Sequence, residues 1–458
     1  MRTRARPLPR YESSPLPIRS GLITSKTVFY LQLLLFGGAV IFFMMIYTSF
    51  IFAASASLIG AAAVDRRQGA SSAASEPDYY QTRPELFPGP TPTGAAPFLA
   101  ETNPAPFSAT SYIPNTPLET QVPISGNTNN GNIFQLMGQL SHYFPNPIGF
   151  GVDEYSLPNG AEIVGLNMLS RHGSRYPTTG SGAYTFGQKH LNMTGKANYT
   201  GVLSFLNTWT YQLGAEILVP VGKQELFDSG TLHYYEYGHL YNNNGSKIIA
   251  RSTTQDRMTQ SAEYFLAGFF GLQWTQNATL ELMIENTTGI WNNTLAGYDN
   301  CNNSNTGVSA GGTNATKEWY GIYLANATQR LAPLAPGFNW TAADSYNAQS
   351  LCAYETVAFG FSNFCGLFTY EEWEGYEYSV DISFAGNNMF QSPTGRAVGI
   401  GYVEEVLARL QKHVIDVPTA QINVTFDNNT VTFPLNQSLY FDFSHDSEFV
   451  RVCSNSVF

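Results

Sequence analysis

Residues 162–177 read Glu-Ile-Val-Gly-Leu-Asn-Met-Leu-Ser-Arg-His-Gly-Ser-Arg-Tyr-Pro. The first half, Glu162 to Leu169, is largely apolar and β-favouring, and it runs directly into a polar loop at Ser170-Arg171-His172-Gly173. That pattern predicts a strand ending in a charged turn. It returns far along the chain, where Ser438-Leu439-Tyr440-Phe441-Asp442-Phe443 is followed by Ser444-His445-Asp446. In open α/β sheets ligands gather at the carboxyl ends of strands, and parallel neighbours bring such loops together. Between the two lies a predicted helix over Thr254 to Leu272, with Met258, Ala262, Phe265, Leu266 and Phe269 on one face. Thr253, Thr254 and Asp256 offer a cap and acidic character at its start, which puts Arg257 in the first turn. A second helix is predicted over Gly395 to Lys412, with Val398, Tyr402, Val406, Leu407 and Leu410 as its core-facing stripe.

The segment Arg171 to Pro177 holds the residue types that phosphoryl transfer requires. A neutral imidazole at His172 can attack phosphorus and split one difficult displacement into two easier ones. Arg171 and Arg175 carry forked donors that match phosphate geometry and stay charged. Gly173 is expected to let the backbone approach the phosphate closely, and Pro177 to stiffen the exit from the loop. Taken singly, a loop histidine or a pair of arginines is an ordinary surface feature. The joint pattern Arg-His-Gly-x-Arg-x-Pro is different, arising by chance in roughly one chain of this size in several thousand.

That segment resembles the signature of the histidine acid phosphatases, and the surrounding sequence is similar to their fungal branch, which includes phytases. The likeness runs from about Asn132 to Asp446. It includes Asn132-Ile-Phe-Gln-Leu-Met-Gly-Gln-Leu-Ser141, Cys365-Gly-Leu-Phe-Thr-Tyr-Glu-Glu-Trp373 and the region of Gly399-Ile-Gly401. The resemblance implies an α/β fold, with a central, mostly parallel sheet flanked by helices and a mainly helical subdomain inserted at roughly 180–380. It also implies roles. His172 is the expected nucleophile and Asp446 the proton donor to the leaving oxygen. Arg171, Arg175, Arg257 and His445 are expected to bind the phosphoryl oxygens, with Arg251 a competitor for the place of Arg257. No cofactor or metal is implied. The preferred disulfide is Cys352 with Cys365, leaving Cys301 and Cys453.

The chain departs from the family in one region. Members normally continue well past the His-Asp pair and place an apolar helix directly after it. Here Ser447 to Phe458 matches such a helix poorly, and the chain ends at Phe458, so the C-terminal part is expected to be shortened. The expected activity is hydrolysis of phosphomonoesters. The alternatives are a phytase acting on inositol hexakisphosphate, or an extracellular glycoprotein that keeps the fold but is catalytically impaired by a shortened C-terminus.

Composition sets the context. Charged residues make up 12% of the 458, against 43% hydrophobic and 14% aromatic. That is about half the usual charged share, so the surface needs another source of solubility. Thirteen Asn-x-Ser/Thr sequons could supply it as glycans: Asn192, Asn198, Asn244, Asn277, Asn286, Asn292, Asn302, Asn314, Asn326, Asn339, Asn423, Asn428 and Asn436. A net charge of −11 argues against nucleic acid as a partner, and it requires a phosphate site to be built from a local arginine cluster. Four cysteines without Cys-x-x-Cys spacing fit disulfides in an oxidising compartment better than a zinc site.

At the N-terminus, residues 1–26 are basic, and Thr27 to Val64 carries no charge. A transmembrane signal anchor over 27–52 is expected, N-terminus cytosolic, with an Ala/Ser/Thr/Pro-rich stalk over 53–120 and the phosphatase-like domain over 121–458. The rival is cleavage near Ala53-Ala54-Ser55-Ala56-Ser57 and secretion. Either way the bulk of the chain is expected outside the cytosol, on the outer side of the plasma membrane or in the secretory pathway.

Overall fold

Both predicted strands form, and they are direct neighbours. In the computed structural model, which describes residues 123–142, 160–285 and 291–456, strand β1 covers Leu166–Arg171 and the last strand, β4, covers Leu439–Ser444. They run parallel, in register from Leu166 opposite Leu439 to Arg171 opposite Ser444. Two further strands, β2 (Ile248–Thr253) and β3 (Ala278–Met283), complete a parallel sheet of order β1-β4-β2-β3. The predicted segment thus begins its pairing at Leu166 rather than Glu162.

Ten α-helices accompany the sheet among the described residues: α1 (Gly182–Asn192), α2 (Pro220–Tyr237), α3 (Asp256–Phe270), α4 (Gly311–Tyr323), α5 (Ala325–Leu331), α6 (Ala342–Phe359), α7 (Tyr370–Asn387), α8 (Gly395–Gln411), α9 (Val424–Asp427) and α10 (Asp446–Ser456). Helices α2 and α3 cover one face of the sheet. Leu439, Phe441 and Phe443 of β4 point there, into a cluster with Ile248, Ala250, Met258, Ala262, Phe265 and Phe269. The helix pair is close because a Cβ at Gly230 would lie 2.1 Å from Phe265 O, and one at Gly268 would lie 2.0 Å from Phe227 O. The stripe expected on α3 is buried in full. Its cap differs from expectation: Gln255 occupies that position and makes no side-chain bond there.

The opposite face is covered by α8 and α10, and here the sequence reading needs correction. Leu407 and Leu410 of α8 are 49% and 63% exposed. The buried stripe is instead Val398, Tyr402, Glu405 and Arg409, spaced four, three and four residues apart. Asp442, on the α8 side of β4, takes Arg251 Nε at 2.7 Å, Arg409 Nη1 at 2.6 Å and the Tyr402 hydroxyl at 2.9 Å. Arg251 Nη2 also donates to Glu405 Oε2 at 2.6 Å. A hydrophobic pattern cannot reveal a helix face whose buried groups pair with charges on the sheet. The residues after the His-Asp pair, expected to fit a helix poorly, do form α10. Its close approach to α8 rests on Gly399, where a Cβ would lie 2.5 Å from Arg451 C and O.

The stretch 180–380, expected as one helical insert, is divided. Helices α1 and α4 to α7 share an aromatic core that includes Phe186, Phe338, Trp340, Phe364 and Trp373, whereas residues 220–283 supply α2, α3, β2 and β3 to the sheet. Cys352 in α6 is joined to Cys365, while Cys301 and Cys453 are free thiols. Capping boxes start α6 (Thr341 with Asp344) and α7 (Thr369 with Glu372). The expected anchor over 27–52 and the stalk over 53–120 lie outside the described residues, as does Asn286. No helix among the described residues is long and apolar enough to cross a membrane.

Several buried carboxyl groups carry a pH signature. Burial pushes Glu281 and Glu355 up to about 7 and Glu448 up to about 8, and it raises Asp427 with help from Glu405. A carboxyl that holds its proton more tightly folded than unfolded loses stability as pH rises through that gap. The histidines lowered by burial, His172 and His190, are neutral in both states above about pH 6.5 and leave this window untouched. The thermal midpoint should therefore fall between pH 6.5 and 9, and Glu448→Gln should flatten the decline around pH 8. A midpoint constant over that range would contradict the assignment.

Candidate active site

Because β1 and β4 pair in register, the residues after them emerge side by side. The rings of His172 and His445 lie 5.7 Å apart, edge to face at 74°. Arg171 Nε donates to Asp446 Oδ2 at 3.1 Å, and Arg171 Nη1 to His172 O at 3.2 Å. His172 and His445 are 3% and 5% exposed.

The loop holding His172 is clamped from three sides. Gly173 N donates to Ser261 Oγ at 3.1 Å, and Ser261 Oγ donates in turn to Arg257 O, tying the loop to the first turns of α3. Glu225 of α2 accepts from Ser174 N at 2.7 Å and Ser174 Oγ at 2.9 Å. Residues 174–177 pair with 216–219: Val219 N donates to Ser174 O and Tyr176 N to Ile217 O. Glycine at 173 is also required by its protein neighbours. A Cβ there would lie 2.1 Å from Gly222 O, and one at Gly222 would lie 1.9 Å from Ser174 O. What glycine permits at both positions is contact of the loop with the start of α2.

Arg257 sits in the first turn of α3, 8% exposed, with Nη1 donating to Glu216 Oε2 at 3.0 Å. Its competitor Arg251 belongs to the ion cluster beneath α8. The structure therefore gathers His172, Arg171, Arg175, Arg257, His445 and Asp446, and leaves Arg251 elsewhere. The Nε groups of Arg175 and Arg257 are buried without an acceptor among the described residues. Buried donors of this kind call for a partner such as a water or an ion, and the Nε groups of Arg409 and Arg451, outside this cluster, share the condition.

Electrostatics follow from this crowding. Burial, then the charges of Arg171 and Arg175, hold His172 well below its usual range, so its imidazole is neutral. His172 Nδ1 lies 2.8 Å from Gly173 O. A carbonyl oxygen only accepts, so Nδ1 carries the proton and Nε2 keeps its lone pair. Burial pushes Asp446 up, but Arg171, Arg175 and His445 together outweigh it and leave the carboxyl below its ordinary value.

Glu285, two residues past β3, is a member of the site that the sequence reading missed. It is 1% exposed, and its carboxylate accepts from His445 Nε2 at 3.0 and 3.2 Å, from Gln255 Nε2 at 2.6 Å and from the Tyr298 hydroxyl. Burial opposes its charge, but His445 and these hydrogen bonds prevail and bring it down to about 2. The signal for it is the apolar stretch Ala278 to Met283, another strand whose carboxyl end faces the site. Among the described residues no group of three or more His, Cys, Asp or Glu is arranged to hold a metal ion.

The family model described as the histidine phosphatase superfamily (branch 2) matches residues 162–454. Phytase A of Aspergillus oryzae is 31% identical over 347 residues, which cover 70% of this chain and 70% of the relative. An acid phosphatase of Schizosaccharomyces pombe is 29% identical over 307 residues, covering 64% of this chain and 62% of the relative. Among solved structures, the phytase from D. castellii matches with a TM-score of 0.55 at 25% identity, covering 71% of this chain and 68% of that one.

Gly222→Ala tests the clamp. Its Cβ meets backbone rather than a movable side chain, so the variant should lose about 1–3 kcal/mol of stability, read as a lower denaturation midpoint. An unchanged midpoint would show that the loop and α2 can separate freely.

Proposed function

The chain belongs to branch 2 of the histidine phosphatase superfamily, a phosphoric monoester hydrolase by its relatives, and on that premise we propose that it hydrolyses phosphomonoesters through a phosphohistidine on His172. One observation carries the reading: a neutral imidazole, its Nδ1 proton committed to Gly173 O, stands among three arginines.

In the proposed cycle, Arg171, Arg175, Arg257 and His445 bind the phosphoryl oxygens and stabilise the charge that develops in the transition state. His172 Nε2 attacks phosphorus, the P–O ester bond breaks, and Asp446 gives its proton to the departing alcohol oxygen. Water then attacks the phosphohistidine, with the Asp446 carboxylate accepting its proton. Phosphate leaves, and His172 returns to its neutral form.

The charge state of Asp446 leads to an expectation of activity in acid. Without substrate its carboxyl is held low by arginine. The proton it donates must therefore enter with the substrate, as the monoanion, or be taken up when a dianion neutralises those arginines. Both routes consume one proton and fail as pH rises past the second phosphate ionisation, near 6. His172 stays neutral because burial and arginine oppose its protonation, so the nucleophile survives at low pH.

The names of the relatives favour a second reading, a phytase. Against it stands the supply of positive charge: Lys and Arg number only 23, and the groups bonded to the site arginines and His445 include the carboxylates of Glu216, Glu285 and Asp446. We favour a phosphatase of broad specificity. Its proposed setting is extracytoplasmic, supported by the Cys352–Cys365 bond and by nine exposed sequon residues: Asn192, Asn198, Asn244, Asn302, Asn314, Asn326, Asn339, Asn428 and Asn436. Asn277, Asn292 and Asn423 are poorer acceptors, since their side chains already bond Tyr241, Ile422 O and Thr425 N. Anchoring through residues 27–52 rests on sequence alone.

With p-nitrophenyl phosphate, kcat/KM should fall above about pH 6 and withstand chelators, and His172→Ala should abolish turnover. Asp446→Asn should cost about 10²–10⁴-fold with an alkyl phosphate but far less with p-nitrophenyl phosphate, whose leaving group needs little protonation. Equal losses on both substrates would remove Asp446 from the donor role. Inositol hexakisphosphate should be turned over with a lower kcat/KM than p-nitrophenyl phosphate; the opposite ranking would establish the phytase reading.

A further inference from the structure

Glu216 has a backbone that its side chain does not suit. Its φ is +69°, in the left-handed region that favours glycine. Ile217 N donates to Ala215 O at 2.8 Å across it, closing a three-residue turn around Glu216. Three-residue turns with positive φ at the centre are rare and strained. Strain of this kind persists where the surroundings enforce it, often beside a functional site.

What the strained position achieves is visible in its bonds. Glu216 Oε2 accepts from Arg257 Nη1 at 3.0 Å, Oε1 accepts from Thr179 N at 2.8 Å, and its own N–H donates to Pro177 O at 3.1 Å. One residue thus joins the exit of the His172 loop to the arginine on α3. The Arg257 and Glu216 side chains are only 10% and 15% exposed, so little solvent screens the pair. Arg257 needs such a partner, because burial and the neighbouring Arg175 both oppose its charge. No residue within three positions of Arg257 on α3 is a carboxylate except Asp256, whose Oδ2 accepts from Gln260 instead.

We propose that Glu216 is a positioning residue: the strained turn aims its carboxylate at Arg257 and holds that guanidinium beside Arg175, with its remaining donors turned to the phosphoryl group. This rests on the phosphatase reading above. It extends it by assigning the orientation of Arg257 to an anion on a separate segment, and by giving the strain a purpose.

The proposal separates fold from function, because strain and the carboxylate respond differently to substitution. Glu216→Ala and Glu216→Gly both remove the carboxylate, but only glycine relieves the backbone. The glycine variant should melt above the alanine variant, while both bind inorganic phosphate about 10- to 100-fold more weakly by titration calorimetry, the range typical of residues that orient a ligand-binding side chain. Glu216→Gln, which keeps the size, should raise KM for p-nitrophenyl phosphate more than it lowers kcat. In an Arg257→Ala background Glu216→Gln should add no further loss of phosphate affinity. A further tenfold loss there would show that Glu216 does not act through Arg257. Wild-type phosphate affinity in the glycine variant, or a glycine variant no more stable than alanine, would overturn the proposal. A wild-type protein that binds phosphate but turns over no phosphomonoester would instead sink the phosphatase reading, and the calorimetric comparison would still stand.

Discussion

Three guanidinium groups around two buried imidazoles repel one another, and much of this structure can be understood as the containment of that repulsion. Every basic side chain but one that approaches His172 has a carboxylate at hydrogen-bond distance: Arg171 has Asp446, Arg257 has Glu216, and His445 has Glu285. Arg175 is the exception; it donates to the Tyr176 carbonyl. Removing one partner of a buried pair leaves the other charge stranded, so these carboxylates are as constrained as the cations they hold. His172 itself stays neutral because its burial, and then the surrounding arginines, oppose protonation.

The sheet decides where such charges can stand. Parallel strands buried on both faces are usually apolar throughout, and the phenylalanine-rich face of β4 obeys that rule. The other face does not. Asp442 draws Arg251 and Arg409 into a second charged cluster under α8, separate from the site at the strand ends. Two arginines six residues apart, Arg251 in mid-strand and Arg257 in the first helical turn beyond it, therefore stand in different places: one ties a helix to the sheet, the other lies near His172 and bonds Glu216.

This division explains what could be read from the sequence. The loop at His172 and the pair His445-Asp446 are local patterns, each a strand broken by a charged turn, and they were legible without a structure. So was α3, whose buried stripe is apolar. The stripe on α8 was misread because Glu405 and Arg409 look like solvent-facing residues until Asp442 and Arg251 are placed opposite them. Glu216 and Glu285 were invisible for a related reason. Nothing beside Glu216 marks it, only the strand before Glu285 hints at that residue, and the meaning of both depends on partners 41 and 160 residues away. Gly173 is legible as a position that needs freedom, while its contact with Gly222, 49 residues on, is not.

The order of the strands has a consequence for how the chain is made. β4 lies in the interior of the sheet, between β1 and β2, yet it is the last of the four to leave the ribosome. Until it arrives, β1 lacks the strand it pairs with among the described residues, and the Arg171–Asp446 pair must wait for a contact spanning 275 residues. Contacts so distant in sequence are slow to form, and an unpaired apolar strand invites wrong pairings meanwhile. Synthesis therefore passes through a stage in which the loop of His172 exists but Asp446 does not. A nascent chain interrupted before residue 439 would carry the recognisable motif and no working centre.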